Sequence, residues 1–161
     1  MPGILRCDRI NLNERNTVSA VVRVLTELAR NESNRADLQV SGTYYFSTPS
    51  RSISPHPGWY IICDQDHRSL YAGKAENLNS RLNSRDGSRD NFANPQRCQD
   101  PVRNFIKRFL SSGVILTLYV ITIPESVFCS ALGVDPPLSD LDRGNVEKVL
   151  GVFRERIAGT L

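Results

Sequence analysis

Apolar residues recur every three or four positions in three parts of the chain, a spacing that predicts three amphipathic helices. The first covers residues 17–30, the second residues 101–112, and the third runs from about residue 140 to residue 157. Their candidate N-caps are Asn16 or Thr17, then Asp100, then Ser139 or Asp140. The apolar stripes are Val18, Val21, Val22, Leu25 and Leu28; Phe105, Ile106, Phe109 and Leu110; and Val146, Val149, Leu150, Phe153 and Ile157.

Between these helices, shorter apolar runs predict strands. Residues 59–63 and 69–72 flank a DQDH turn and predict an antiparallel hairpin, which a short helix over residues 75–83 follows. Residues 114–123 form an apolar run that is too short to cross a bilayer and predicts a central buried strand. A short strand is also expected over residues 43–47. Together these elements predict an α+β or layered α/β fold, in which helices flank a small central antiparallel or mixed sheet.

The 161 residues, 40% of them hydrophobic, suit one compact domain. A Ser- and Pro-rich stretch, residues 47–57, predicts a connector between an N-terminal extension, residues 1–55, and a core, residues 56–161. The N-terminal residues have no secretory signal pattern, so we expect a cytoplasmic protein without a membrane partner. The sequence leaves the oligomeric state open.

Cysteine and histidine spacing excludes the common zinc motifs. The four cysteines, Cys7, Cys63, Cys98 and Cys129, include no C-x-x-C pair, and the two histidines are isolated. We therefore expect reduced, structural thiols.

Positive charge is concentrated in the middle of the chain. The net charge is +3, but residues 67–110 carry nine Lys or Arg against four acids, and arginine outnumbers lysine 17 to 3 over the whole chain. The guanidinium fork matches phosphate oxygens, so this window favours a polyanionic partner. A solvated surface with a few ion pairs would give the same composition.

One stretch, PGWYIICDQDHRSLYAGKAENLNSRL at residues 57–82, collects candidate chemistry. The hairpin would place Tyr60 and Tyr71 on one face, and helical spacing would bring Lys74 and Arg81 next to them. Nearby cations lower the pKa of a phenol, which would let a tyrosine accept a proton or hold a water. Alternatively, both tyrosines are packing residues and both cations are solvated.

The same stretch resembles the GIY-YIG nuclease family. GWY at residues 58–60, YAG at 71–73 and KAENLNSRL at 74–82 are similar to its motifs, most of all to those of the N-terminal nuclease domain of the bacterial excinuclease. The resemblance implies a divalent-metal-dependent DNA endonuclease. It also implies Tyr60 as general base and Tyr71 as the residue that orients the water or the phosphate, or as the base instead. Arg81 is implied as phosphate clamp, and Lys74 as a phosphate contact or a modulator of a tyrosine pKa.

The resemblance further implies that one Mg²⁺ or Mn²⁺ ion is bound by a glutamate on a later helix. Glu147 is the best match, with Glu155 and Glu125 as weaker candidates. Gly144 and Gly151 flank Glu147 at helical spacing, which suggests that bulk is unwelcome beside it. An ordinary helical ion pair between Glu147 and Arg143, four residues apart, is the alternative.

We expect DNA to contact the basic window through Arg85, Arg89, Arg97, Arg103 and Lys107. The chain departs from the family at four positions. Trp59 and Ala72 in the two motifs look tolerable, whereas Gly159 stands where an asparagine is common and Arg85 where a histidine or tyrosine is common. Two alternatives therefore stay open: a weak or inactive nucleic-acid-binding module on the same fold, and a nuclease that acts on RNA.

Overall fold

The computed structural model describes residues 10, 14–41, 45–47, 52–64, 66, 68–83 and 116–159. Within these residues, five strands form one antiparallel sheet in the order β2-β1-β5-β3-β4. The strands are β1 (Arg35–Ser41), β2 (Tyr45–Ser47), β3 (Gly58–Cys63), β4 (Ser69–Ala75) and β5 (Leu116–Pro124). The predicted hairpin is β3–β4, and the predicted central strand is β5. The α+β fold class is thus confirmed.

Five helices surround the sheet in the described part of the chain: α1 (Arg15–Arg30), α2 (Leu78–Leu82), α3 (Glu125–Leu132), α4 (Asp140–Val152) and α5 (Arg154–Ala158). The predicted C-terminal helix starts where expected, because the Ser139 side chain accepts the N–H of Asp142 at 3.1 Å. It is interrupted at Phe153, which separates α4 from α5. None of the helices described combines the length and apolar content needed to cross a bilayer.

Alternating residues of β3 divide between two cores on opposite faces of the sheet. Trp59, Ile61 and Cys63 belong to the larger core, together with residues of α1, α3, α4 and α5. Tyr60 and Ile62 face the smaller core, which α2 covers. The period of two along β3 therefore places Tyr60 on the α2 side and Trp59 on the α4 side.

The N-terminal residues are built into this domain. β1 pairs with β5 in the centre of the sheet, and α1 contributes to the larger core. Ile10 is buried in the same core, where its N–H donates to Asp142 Oδ1 at 2.8 Å and its carbonyl accepts from Asn145 Nδ2 at 3.0 Å. The segment before residue 56 thus extends the sheet and also touches α4.

Two local predictions are corrected. Neither Asn16 nor Thr17 caps α1, whose N-cap is Glu14, and Thr17 is buried instead. The predicted helix over residues 75–83 is shorter, because β4 continues to Ala75 and the Asn77 side chain starts the helix by accepting a first-turn N–H. β1 and α3 were not predicted. The predicted helix over residues 101–112 lies outside the described residues.

Candidate functional site

Two tyrosines lie side by side on one face of the β3–β4 hairpin. Tyr60 pairs in register with Gly73, and Tyr71 lies opposite Ile62. Their ring centroids are 6.1 Å apart. A Cβ atom on residue 73 would lie 2.7 Å from Tyr60 Oη and 2.9 Å from Tyr71 Cε2. The glycine of the YAG motif therefore makes room for both phenol rings.

Arg81 reaches this pair from α2. The helix starts at Asn77, whose side-chain oxygen accepts a backbone N–H at 3.0 Å, and it buries Leu78 and Leu82 against the sheet. Arg81 Nε donates a hydrogen bond to Tyr60 Oη at 3.1 Å. The predicted proximity of a guanidinium to a tyrosine is thus present in the structure.

Burial decides the protonation of Tyr60. The residue is fully buried, and this desolvation raises the pKa of its phenol more than Arg81 lowers it; Tyr71 and Glu147 raise that pKa further. Arg81 lowers the pKa of Tyr60 as predicted, but the expected net decrease is wrong, because burial outweighs the cation and a sequence does not show burial. Tyr71 is only half-buried and is the phenol closer to solvent.

Glu147, on α4, contacts the same hairpin at the outer edge of β4. Among the described strands, β4 is the last of the sheet, so none of them pairs with its outward backbone groups. Glu147 Oε2 accepts the Lys74 N–H at 3.0 Å. Lys74 follows Gly73, the register partner of Tyr60, and the charge of Glu147 acts on the pKa of Tyr60. Tyr60, Tyr71, Arg81 and Glu147 thus come together from β3, β4, α2 and α4.

Lys74 enters the site differently from the prediction. It belongs to β4 rather than to a helix, so it does not share a helical face with Arg81. It lies opposite Trp59, and its side chain, which is exposed, therefore leaves the sheet on the face opposite to that of Tyr60. What Lys74 gives Glu147 is its backbone N–H.

The alternative partner of Glu147 is engaged elsewhere. Arg143 forms a forked ion pair with Glu125, with an Nη2–Oε2 distance of 3.0 Å and a second bond from Nε to Oε1. Its Nη1 lies 3.5 Å from Asp140 Oδ1. An ordinary Glu147–Arg143 helical pair therefore does not account for Glu147. The carboxylate of Glu125, a weaker candidate as metal ligand, is bound in this ion pair with Arg143.

Gly144 and Gly151 lie beside Glu147 on α4, and beyond the backbone of that helix a Cβ atom at either position would meet none of the described residues within 4 Å. Packing inside the protein therefore does not require glycine at these positions. The interpretation that an outside molecule approaches this surface stays a prediction.

A cavity of about 350 Å³ opens at the end of the β3–β4 hairpin, and neither tyrosine nor Glu147 is among its lining residues. It lies where β3 starts and β4 ends, against the first turns of α3 and α4. Arg81, which donates a hydrogen bond to Tyr60, lines this cavity. The lining side chains that carry charge are Lys74, Glu76, Arg81, Glu125, Asp140 and Arg143.

The residues around Glu147 suit a hard cation that keeps most of its own water. Among the described residues, no three His, Cys, Asp or Glu side chains lie together as a preformed metal cluster. Glu147 is partly exposed, and its carboxylate is oriented by one hydrogen bond to Oε2. A single oriented carboxylate fits Mg²⁺ or Mn²⁺ held by one protein ligand together with water and substrate phosphate oxygens.

Two features important to this site were not predicted. Trp59 is buried, donates from Nε1 to the Arg143 carbonyl at 3.1 Å, and packs edge-on against Phe128 with centroids 5.0 Å apart. The Glu125–Arg143 pair joins residues 18 positions apart, a spacing with no local sequence signal. The predicted DNA-binding residues Arg85, Arg89, Arg97, Arg103 and Lys107 lie outside the described residues.

In comparisons with known proteins, no family model matches this chain, and no curated protein or solved structure matches it either. The functional interpretation therefore depends on the residues and their geometry.

Proposed function

We propose that this protein is a divalent-metal-dependent DNA endonuclease of the GIY-YIG type. The observation that supports it most is the convergence of Tyr60, Tyr71, Arg81 and Glu147 from four separate elements. Arg81 Nε lies 3.1 Å from Tyr60 Oη, and the ring of Tyr71 lies 6.1 Å from that of Tyr60. These residue types cover the requirements of phosphodiester hydrolysis: a proton acceptor, a cation for the phosphate and a carboxylate for a metal ion.

The roles of the two phenols follow from their burial. Tyr60 is buried and its pKa is raised, so it serves to fix the guanidinium of Arg81. Tyr71, which is half-buried, is the phenol that holds the attacking water and accepts its proton. This choice favours the second of the two roles that the family resemblance left open for Tyr71.

We expect the scissile phosphate beside Arg81, on the face of the hairpin that carries the two tyrosines. Arg81 supplies positive charge to the phosphate oxygens, whereas the Lys74 side chain lines the cavity from the opposite face of the sheet. Glu147 would hold the cation at the neighbouring edge of β4. When bound, the cation polarises the phosphate and stabilises the leaving oxygen. The protein keeps Arg81 and Glu147 in place before the substrate arrives, which is the main requirement for electrostatic catalysis.

Plasmid nicking tests this function. We expect supercoiled DNA to be nicked with Mg²⁺ or Mn²⁺ and to stay intact with EDTA. Tyr71→Phe, Arg81→Ala and Glu147→Ala should each reduce nicking by about 100-fold or more, while Glu147→Ala still binds DNA.

One observation favours a second function, a nucleic-acid-binding module without catalysis. Tyr60, the residue that the motif resemblance makes the general base, is completely buried. DNA binding without nicking in either metal would support this second function and contradict the first. Cleavage of a matched RNA but not of DNA would identify an RNA-directed nuclease.

A further inference from the structure

The Glu147 carboxylate is tied to the sheet by a closed ring of contacts. Glu147 accepts the Lys74 N–H at 3.0 Å, and Lys74 pairs in register with Trp59. The Trp59 indole donates to the Arg143 carbonyl at 3.1 Å. Arg143 lies four residues before Glu147, so the same carbonyl is the one that receives the Glu147 N–H in a regular α-helix. Both ends of Glu147 are thus connected to one pair of strands.

The Arg143 side chain adds a second attachment. Its fork is bound by Glu125, which is 4% exposed. Glu125 is the first residue of α3, and its own N–H donates to the Pro57 carbonyl at 2.9 Å, directly before β3. The ion pair therefore connects the first turn of α4 with the start of β3.

We propose that Glu125, Arg143 and Trp59 form a positioning brace that holds the Glu147 carboxylate where the cation binds. This inference rests on the proposed function, which makes Glu147 a metal ligand. Although Arg143 lines the cavity, its guanidinium nitrogens face Glu125 and Asp140, so we assign it to positioning rather than to substrate contact.

The position of Glu147 affects the metal affinity strongly because the cation would be bound by one protein carboxylate. With several ligands, the others compensate for a shift of one; with a single ligand, the shift acts on affinity directly. Removing outer partners of a metal ligand typically costs 10-fold to 100-fold in metal affinity or activity. A disturbance of Arg143 or Trp59 should therefore be seen at Glu147 even though neither touches the ion.

Two variants test the brace without deleting a side chain outright. Arg143→Lys keeps the charge but loses the fork, and Trp59→Phe keeps an aromatic ring but loses the N–H donor. Each should speed hydrogen exchange of the Lys74 amide in metal-free protein, measured by NMR. Each should also weaken Mn²⁺ binding about tenfold, measured by electron paramagnetic resonance with a short DNA duplex present. Asp135→Asn, which removes an exposed carboxylate charge between α3 and α4, is the matched control and should alter neither quantity.

A double-mutant cycle separates positioning from general loss of stability. In a Glu147→Gln background, Arg143→Lys should cause no further loss of Mn²⁺ affinity, because the carboxylate it positions is gone. Equal losses in both backgrounds, or unchanged Lys74 exchange in folded Arg143→Lys and Trp59→Phe proteins, would overturn the brace. Lys74 exchange requires neither metal nor DNA, so it tests the brace separately. Failure of the wild-type protein to nick DNA would instead overturn the proposed function.

Discussion

At the scale of single residues, burial and charge act on Tyr60 in opposite directions, and burial wins. A sequence shows the cation nearby, Arg81, but gives no measure of how completely the phenol leaves water. Tyr60 is fully buried, and its pKa is raised although Arg81 donates to its hydroxyl. The convergence of tyrosine and arginine was predictable from spacing, whereas the division of roles between Tyr60 and Tyr71 required the structure.

The raised pKa of Tyr60 predicts a loss of stability in alkali. The folded protein keeps the Tyr60 proton at a pH where the unfolded chain loses it. The contribution of this proton to stability is therefore complete below about pH 10, the pKa of tyrosine in the unfolded chain, and is lost as the pH rises above that value. Burial also raises the pKa of Cys63 to about 11 and that of Cys129 to about 12, so both thiols likewise lower the stability as the pH rises. Chemical denaturation between pH 7 and 11 should therefore show declining stability from about pH 9 upwards.

The Tyr60→Phe variant measures how much of this pH dependence of stability comes from the Tyr60 phenol. It should be about 1 kcal/mol less stable at pH 7, because the bond from Arg81 is lost, but its stability should fall less steeply above about pH 10. A Cys129→Ala variant is the control that retains the contribution of Tyr60. Parallel curves for wild type and Tyr60→Phe would contradict the assignment.

Gly73 gives a further prediction at this scale. Its substitution by alanine puts a methyl group against both phenol rings, at 2.7 Å from Tyr60 Oη. We expect Gly73→Ala to destabilise the fold by about 1–3 kcal/mol and to reduce nicking. Gly144→Ala, at a glycine with open space around it, is the matched control for the stability measurement. Full activity and stability of Gly73→Ala would show that the ring placement is wrong.

At the scale of elements, strong local patterns were sufficient for α1, the hairpin, β5 and the start of α4. The end of β4 was not predictable in this way, because pairing with β3 continues to Ala75 and only the Asn77 cap begins α2. α3 follows β5 without a loop and without a side-chain cap, so no turn signal marks it. β1 was not predicted although Ala36 and Leu38 are buried in alternation. Polar residues follow at the end of this strand, so the sequence has only a short apolar alternation there.

The surface of α4 beside Glu147 carries a prediction about its glycines. A Cβ atom at residue 151 would meet no other part of the described structure within 4 Å, so Gly151→Ala should stabilise the helix by about 1 kcal/mol, measured by thermal unfolding. If DNA approaches Glu147 along this surface, the same variant should weaken DNA binding, measured by fluorescence anisotropy. The matched control Lys148→Ala, on an exposed neighbouring position, changes charge without filling this space. Higher stability with unchanged DNA affinity would contradict an approach of DNA at residue 151.

At the scale of the whole molecule, one sheet holds the candidate site at its β4 edge. The larger core fixes α4 and hence Glu147, and the smaller core fixes α2 and hence Arg81. The hairpin between them carries both tyrosines. Sequence motifs identified the residues of this site, but the ring of contacts through Trp59, Arg143 and Glu125 depends on packing between elements that are distant along the chain.

The single-turnover rate of plasmid nicking at saturating Mg²⁺ tests the site most directly, in Glu147→Gln compared with Glu155→Gln. Both changes remove one carboxylate charge from the C-terminal helices, but only Glu147 binds the Lys74 N–H. We predict a fall of about 100-fold or more for Glu147→Gln and a change within about twofold for Glu155→Gln, which lies on the exposed surface of α5. Equal rates in the two variants would contradict a catalytic site centred on Glu147.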